Sequence, residues 1–236
     1  MHKLSLTKMT RFIRRHPIKV DTEYNLYCDK SGYLVYDSEP TMAVGAISCP
    51  KALVPLITSD ILYIKQRHQV YYPLRWSHFN STKFNLYLDL LDYFLSNDFL
   101  KFYGIIIPDK KKLYLNDQDF SDNLRYYTIY SRLCMPLINP EAYYNLYLST
   151  TDIRSKSGII RLRSELSRGF SQDCFKNIQT VRLFESELLQ LANLIVGALT
   201  YKYRKQDGSI PKKDLSTKIF EKQSANKLSI VTVEDF

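Results

Sequence analysis

The order of strand-like and helix-like segments limits this chain to a mixed α/β architecture. Two apolar runs over 24–29 and 41–48 are separated by the turn signal Ser31-Gly32, which predicts an antiparallel strand pair. Downstream, segments with apolar residues at helical spacing alternate with further strand-like runs. Helices are predicted over 51–67, 81–96, 118–138, 157–169 and 186–203, and strands over 100–107, 143–151 and 178–184, with 74–79 as an optional third strand. This order predicts a mixed β-sheet flanked by helices on both faces.

The 236 residues have the length and apolar content of one domain with flanking segments. Residues 1–20 predict a basic arm, 21–203 the folded domain, and 204–236 a charged tail that finishes in an extended piece over 228–233. No stretch approaches the roughly 20 apolar residues of a membrane span, and residues 1–17 lack the apolar core of a secretory signal. Four cysteines, none in a C-x-x-C pair, are expected to be buried thiols in a reducing compartment, which predicts a cytoplasmic protein.

Positive charge is concentrated in three clusters that account for much of the net charge of +9. The clusters are Lys3, Lys8, Arg11, Arg14, Arg15 and Lys19 in the arm, then Arg154, Lys156, Arg161, Arg163 and Arg168, and finally Lys202, Arg204, Lys205, Lys212 and Lys213. Lys and Arg clusters gain affinity for polyphosphates by releasing counterions, so DNA or RNA is the predicted partner. The candidate contacts are Arg11, Arg14, Arg15, Arg154, Lys156 and Arg161. The alternative is a set of solvated charged faces without a ligand.

Three segments carry a resemblance to a known family. Residues 27–32 read Tyr-Cys-Asp-Lys-Ser-Gly and resemble the Asp-Glu-Ser-Gly motif that opens proteins of the domain-of-unknown-function 3800 family. Residues 188–198 read Leu-Leu-Gln-Leu-Ala-Asn-Leu-Ile-Val-Gly-Ala and are similar to that family's C-terminal helix motif, Leu-Gln-Leu-Ala-Asp followed by an apolar pair and a glycine. Arg75-Trp76-Ser77 resembles the family's Lys-Trp-Ser segment. No P-loop, G-x-S-x-G or H-E-x-x-H motif competes with this resemblance.

The resemblance implies an RNase H-like fold and a divalent-metal-dependent nuclease, a hydrolase acting on DNA or RNA, or a related phosphoryl-transfer enzyme. Such proteins are often encoded near mobile elements and phage-defence genes. The family's acidic positions correspond to Asp29 at the end of the first strand, Asp152 after a later strand, and Asn193 on the last long helix. Side chains that converge in this way would bind Mg²⁺ or Mn²⁺, because these ions take hard oxygen ligands.

Two departures from the family motifs weaken the expected site. Lys30 stands where the family has Glu, and Asn193 stands where it has Asp. Neighbouring strand residues face opposite sides, so Lys30 is expected to point away from a site that Asp29 points into. Asn193 keeps an amide oxygen as a weak metal ligand, and Glu187 is a candidate catalytic residue that compensates for the lost charge. The alternative for Glu187 is a helix-start acid that stabilises the macrodipole.

A partly intact site leaves three functions open. The first is a metal-dependent nuclease centred on Asp29, Asp152, Asn193 and Glu187. The second is a degenerate RNase H-like protein that binds nucleic acid or a protein partner without cleavage. The third is a protein-interaction subunit or homo-oligomer, which is suggested by the charged tail and the 19 tyrosines. None of the three involves a membrane.

Overall fold

A six-stranded mixed sheet lies at the centre of the molecule. The computed structural model describes residues 23–32, 39–114, 122–150, 156–168, 174–204, 209–223 and 227–233. The strands are β1 (Glu23–Ser31), β2 (Met42–Pro50), β3 (Lys101–Ile107), β4 (Tyr143–Ser149), β5 (Phe175–Val181) and β6 (Leu228–Thr232). Their order across the sheet is β5-β4-β1-β2-β3-β6.

The first three strands form an antiparallel meander, and the remaining strands run parallel to their neighbours. β1 pairs with β2 in antiparallel register, as predicted, and β2 pairs with β3 in the same way. β4 lies parallel to β1, β5 lies parallel to β4, and β6 lies parallel to β3. The central strands β1 and β2 are buried along most of their length because helices cover both of their faces.

Six α-helices in the described part of the chain cover the two faces of the sheet. They are α1 (Val54–Arg67), α2 (Phe84–Ser96), α3 (Asp122–Cys134), α4 (Lys156–Arg168), α5 (Glu187–Tyr203) and α6 (Ile210–Glu221). Helices α1, α2, α5 and α6 share a core with Tyr27 of β1, whereas α3 and α4 share a core with Leu26 and Cys28. Alternate residues of β1 therefore face different helices. This mixed sheet with helices on both faces confirms the predicted fold class.

The prediction of an optional strand over 74–79 is wrong. This segment contains the short 3-10 turn Trp76–His78 instead. The backbone N–H groups of Leu74 and Trp76 donate to side chains of α5, so they are not available to a neighbouring strand. The strand predicted over 178–184 begins and ends three residues earlier in the structure. It is β5, Phe175–Val181, and the 3-10 turn Leu183–Glu185 follows it.

The segment after α5 packs back onto the sheet and its helices. α6 lies against α2 and α5, and contributes Leu215 and Ile219 to the core that these helices share. The extended piece predicted over 228–233 is observed as β6, which pairs with β3 at the sheet edge. The boundary predicted at residue 20 lies outside the described residues.

All four cysteines are buried thiols that form no disulfide, as predicted. Burial raises the pKa of the Cys49 thiol to about 12, so this group stays protonated at neutral pH. Among the described residues, no helix combines the length and the apolar character needed to cross a bilayer.

Candidate functional site

Asp29 lies near the end of β1 on the face that α5 covers. The alternation that points Tyr27 toward this face also points Asp29 there, and Asp29 is only 2% exposed. A carboxylate in such a place needs a hydrogen-bond donor or a cation, because burial removes its water. Asn193 of α5 supplies a donor, and its Nδ2 lies 2.6 Å from Oδ2 of Asp29. The strand end and the helix motif predicted to meet are therefore in contact.

The backbone of Trp76 fixes the orientation of the Asn193 amide. The N–H of Trp76 donates to Oδ1 of Asn193 at 2.8 Å. A backbone N–H can only donate, so it must face the amide oxygen, and the amide nitrogen then faces Asp29. Asn193 thus presents hydrogen-bond donors to the carboxylate, rather than the oxygen of a metal ligand.

Lys30 points to the opposite face of the sheet. Its Nζ lies 3.4 Å from the hydroxyl of Tyr126 on α3 and 4.8 Å from the centroid of that ring. Tyr126 packs against the core that α3 and α4 form, whereas Asn193 lies on the α5 side. The ammonium group of Lys30 and the carboxylate of Asp29 are therefore directed to different faces of β1, as the strand alternation predicted.

Residues 74–77 dock onto the same face of α5 that carries Asn193. The N–H of Leu74 donates to Oε1 of Gln190 at 2.8 Å, so Gln190 and Asn193 hold alternate residues of this segment. The indole of Trp76 lies over Gly197, where an added Cβ would come within 2.1 Å of its Cγ. Positions 190, 193 and 197 share one helix face. The helix motif and the Arg-Trp-Ser segment therefore form one packing unit.

Glu187 takes part in a buried ion pair nearer the start of α5. Lys65 of α1 donates to both carboxylate oxygens, with Nζ 3.0 Å from Oε2, and to Oε1 of Gln190 at 3.2 Å. Nε2 of Gln190 donates to Glu187 at 3.2 Å. Because Glu187 and Asn193 are six positions apart, about 9 Å of helix axis separates them. The structure thus joins Asn193 to Asp29, and Glu187 to Lys65.

A cavity of about 350 Å³ opens beside the contact between Asp29 and Asn193. Its lining comprises Lys30, Ser31, Gly32, Trp76, Ser77, Asn193, Gly197, Thr200, Tyr201, Arg204 and Lys212. The ammonium group of Lys30 is directed to the other face of β1, so the basic side chains left in the described lining are Arg204 and Lys212, and this lining contains no acidic residue. The hydroxyl of Thr200 donates to the Gly197 carbonyl at 3.0 Å and lies 2.8 Å from Oγ of Ser31. The cavity is therefore suited to an anion rather than to a cation.

The sequence patterns did not single out Tyr201, and they named Lys212 only as a member of a basic cluster, not as a residue of this site. Tyr201 follows Asn193 and Gly197 at intervals of four residues, a spacing that places all three on one helix face and was available as a signal. Lys212 belongs to the third basic cluster. Its place at the cavity depends on α6 folding back onto α5, which no local pattern encodes.

The predicted nucleic-acid contacts are only partly covered by the structure. Arg161 is exposed on α4, and Lys156 begins the same helix. Arg163 on this helix donates to the carbonyl of Phe175 at 2.7 Å, so it also has a structural contact. The other predicted contacts lie outside the described residues, namely Arg11, Arg14, Arg15 and Arg154. The predicted metal ligand Asp152, which follows β4, lies outside them as well.

The described residues around Asp29 do not fit a divalent metal ion. Mg²⁺ and Mn²⁺ need several oxygen ligands, whereas Asn193 turns its amide nitrogen toward Asp29. Within the described ranges, no three His, Cys, Asp or Glu residues lie close enough together to share a metal. The basic lining of the adjacent cavity opposes a second cation at this point.

Comparisons with known proteins find similar solved structures. No family model matches the chain, and no curated protein matches it. Ribonuclease H2 from Pyrococcus horikoshii OT3 is similar at 13% identity and a TM-score of 0.46, over 84% of this chain and 86% of that one. RNase HII from Archaeoglobus fulgidus, solved in complex with PCNA, is similar at 8% identity and a TM-score of 0.48, over 86% of this chain and 92% of that one. The RNase H-like fold that the motif resemblance implies stays a prediction, whereas the mixed α/β sheet itself is observed.

Proposed function

We propose that the protein binds nucleic acid through its RNase H-like domain and does not cleave it with a divalent metal at Asp29. The amide of Asn193 carries this proposal, because its nitrogen donates to Asp29 at 2.6 Å while Trp76 holds its oxygen. In a two-metal nuclease, carboxylates at such positions converge on the ions that stabilise the attacking and leaving oxygens. Here an internal hydrogen bond takes the place of the cation beside Asp29.

A metal-dependent nuclease is the second candidate, and the placement of Asp29 favours it. This residue lies buried near the end of β1, on the α5 face, where the family resemblance assigns the first metal ligand. Cleavage would need Asp152 as a further carboxylate, and that residue is outside the described part of the chain. The two candidates differ in their dependence on metal, so one set of measurements separates them.

We also propose that the chain is a distant member of the domain-of-unknown-function 3800 family, with the mobile-element or phage-defence context that this resemblance implies. The support is spatial, because the three motif segments touch one another although they are far apart in sequence. Asp29 contacts Asn193, and the backbone of Trp76 contacts the same amide. A chance match of three short patterns would not require them to share one packing unit.

Charge supports nucleic acid as the partner. The chain carries a net charge of +9, and the described lining of the cavity is basic. Contacts of Lys and Arg with phosphates are independent of sequence, which leaves both DNA and RNA as candidates. The four buried cysteines form no disulfide, which suits a reducing compartment, and we propose the cytoplasm.

Equilibrium binding tests the proposed partner. Labelled single-stranded and duplex DNA and RNA are titrated over a range of salt concentrations, with either EDTA or Mn²⁺ present. We expect the logarithm of the affinity to fall linearly with the logarithm of salt, by about 0.9 for each phosphate contacted on duplex DNA. Mn²⁺ should not raise the affinity above its value in EDTA, because it competes with Lys and Arg for the phosphates and no site in the protein needs it. Absence of binding at low salt contradicts the proposal and favours a protein partner or a homo-oligomer.

Asn193→Asp tests the role of the metal. The new carboxylate would face Asp29 with like charge, so we expect the variant to lose about 2 kcal/mol of its free energy of unfolding in EDTA. Mn²⁺ should restore the stability of this variant and leave the melting temperature of the native protein unchanged. The control is Asn85→Asp on the exposed surface of α2. Mn²⁺-dependent cleavage by the native protein that disappears in Asp29→Asn contradicts the proposal and supports the nuclease.

A further inference from the structure

Lys212, in the cavity wall, is a partly buried cation with no acidic partner among the described residues. Its Nζ lies 5.3 Å from the ring centroid of Trp76, 5.7 Å from that of Phe79 and 5.8 Å from that of Tyr201. Burial lowers the pKa of this ammonium group, since the surrounding rings replace its hydration only in part. An anion in the cavity would supply the missing interaction.

Lys212 also lies in the first turn of α6, where the helix dipole is positive. The N-cap residue is Ser209, but its side chain accepts no hydrogen bond from the helix, and the first turn contains no acidic residue. Helix N-termini are stabilised by acidic side chains or by bound anions, and destabilised by cations. An anion beside Lys212 would therefore neutralise the positive charge of the ammonium group and the positive end of the helix dipole.

Two more polar groups in the cavity wall lack hydrogen bonds in the described structure. Nε of Arg204 is buried without a hydrogen-bond partner, and the carboxylate of Glu39 that pairs with it is 3.6 Å away. The hydroxyl of Tyr201 is likewise buried without a partner, in a residue that is 7% exposed. Such groups are uncommon in folded proteins, and each calls for a physical explanation. A ligand that completes the site would explain both.

We propose that this cavity binds a phosphate ester the size of one nucleotide, with Lys212 and Arg204 at the phosphate and Trp76 against the base or sugar. Lysine and arginine form charge-assisted hydrogen bonds to phosphate, and aromatic rings stack on bases of any sequence. The volume of about 350 Å³ falls at the lower end of the roughly 300–1,000 Å³ of small-molecule sites. The inference rests on the proposed function only for the source of the phosphate, which is either a free nucleotide or the terminal nucleotide of a nucleic acid.

Trp76 is the single tryptophan of the chain, so its fluorescence reports directly on the occupancy of the cavity. The full-length protein is titrated with AMP, inorganic phosphate and adenosine, up to about 10 mM. We expect a saturable change with AMP and with phosphate, and none with adenosine over the same range. No change with AMP or phosphate overturns the inference.

A matched pair of variants tests the assignment to Lys212. Lys212→Gln should weaken AMP binding by about tenfold or more, because a charged donor to the phosphate is lost. Lys213→Gln makes the same change of charge on the exposed neighbouring residue and should bind AMP within about twofold of the native protein. Equal AMP affinity in the two variants overturns the inference, provided that circular dichroism shows both to be folded.

Oligonucleotides with and without a 5′-phosphate or a 3′-phosphate identify the source of the ligand. Preference for a phosphorylated end that is lost in Lys212→Gln and kept in Lys213→Gln supports the inference with nucleic acid as the source. AMP binding without oligonucleotide binding supports the inference with a free nucleotide as the source, and contradicts the proposed function. Salt-sensitive oligonucleotide binding that is equal in both variants, without AMP binding, overturns the inference and leaves the proposed function standing.

Discussion

Helix α5 carries two polar clusters that differ in how completely their groups are paired. In the first, which we call the closed cluster, Glu187 and Gln190 bond to each other and to Lys65. In the second, which we call the open cluster, Asn193 bonds to Asp29 and Trp76, but the Tyr201 hydroxyl and Nε of Arg204 lack hydrogen-bond partners among the described residues. The two clusters lie on one helix, within a few turns of each other.

This difference separates a structural role from a binding role. A buried ion pair is stable only when its other donors and acceptors are also satisfied, and the closed cluster meets this condition. The open cluster instead borders a cavity of about 350 Å³, whose described lining is basic. Groups that the fold leaves unpaired are the ones that a ligand can pair. Binding is therefore expected at the open cluster, and the closed cluster is expected to hold α1 against α5.

The largest effect is expected when the closed cluster is broken by Lys65→Met. The side chain of Lys65 is 4% exposed and that of Glu187 is 13% exposed, so the variant leaves a poorly hydrated carboxylate without its cation. Removing one partner of such a pair lowers the free energy of unfolding by about 3 kcal/mol or more. Urea denaturation followed by circular dichroism measures this loss. Binding of nucleic acid by the folded variant should be unchanged.

The control for Lys65→Met is Lys51→Met. Lys51 also pairs with a glutamate, since its Nζ lies 2.8 Å from Oε1 of Glu23, but its side chain is 54% exposed. Exposed pairs contribute about 1 kcal/mol or less, so this variant should lose correspondingly little stability. Similar losses in the two variants would mean that burial does not distinguish the closed cluster from a surface ion pair.

A smaller effect is expected from Gly197→Ala at the open cluster. Alanine normally stabilises a helix interior relative to glycine by up to about 1 kcal/mol. Here the new Cβ would lie within 2.1 Å of Cγ of Trp76, so the indole must move. We expect a net loss of about 2 kcal/mol in the free energy of unfolding, because overpacking outweighs the gain in helix propensity. The fluorescence spectrum of Trp76 should shift as well. An increase in stability would show that Trp76 is not held against α5.

The fold was predictable where local patterns determine it. Strand alternation predicted that Asp29 and Lys30 point to opposite faces of β1, and the structure agrees. Segment 74–79 was predicted wrongly because its N–H groups bond to side chains far along the chain, at Gln190 and Asn193. The parallel pairing of β6 with β3 is equally non-local. Periodicity reports the exposure of a segment but does not identify its hydrogen-bond partners.

At the candidate site too, local motifs predicted some features, whereas others depend on contacts between distant segments. Motif resemblance indicated that Asp29 and Asn193 belong together, and they are in contact. It did not indicate which end of the Asn193 amide faces Asp29, because the backbone of Trp76 decides this. Lys212 reaches the cavity only because α6 folds back beside α5. The charges of a site can be read from a sequence, but the choice between a cation site and an anion site depended on these long-range contacts.

The smallest effect is expected from Tyr201→Phe, which tests directly whether the open cluster is unpaired. Tyr93 is the matched residue, because it is also 7% exposed but its hydroxyl donates to Asp60 at 2.8 Å and accepts from Asn97 at 3.1 Å. Tyr93→Phe should lose about 1 kcal/mol in the free energy of unfolding, whereas Tyr201→Phe should stay within about 0.5 kcal/mol of the native protein or gain stability. Urea denaturation compares the two variants under the same conditions. A loss in Tyr201→Phe as large as in Tyr93→Phe would mean that the Tyr201 hydroxyl is already paired without a ligand, and the contrast between the two clusters would then be lost at this residue.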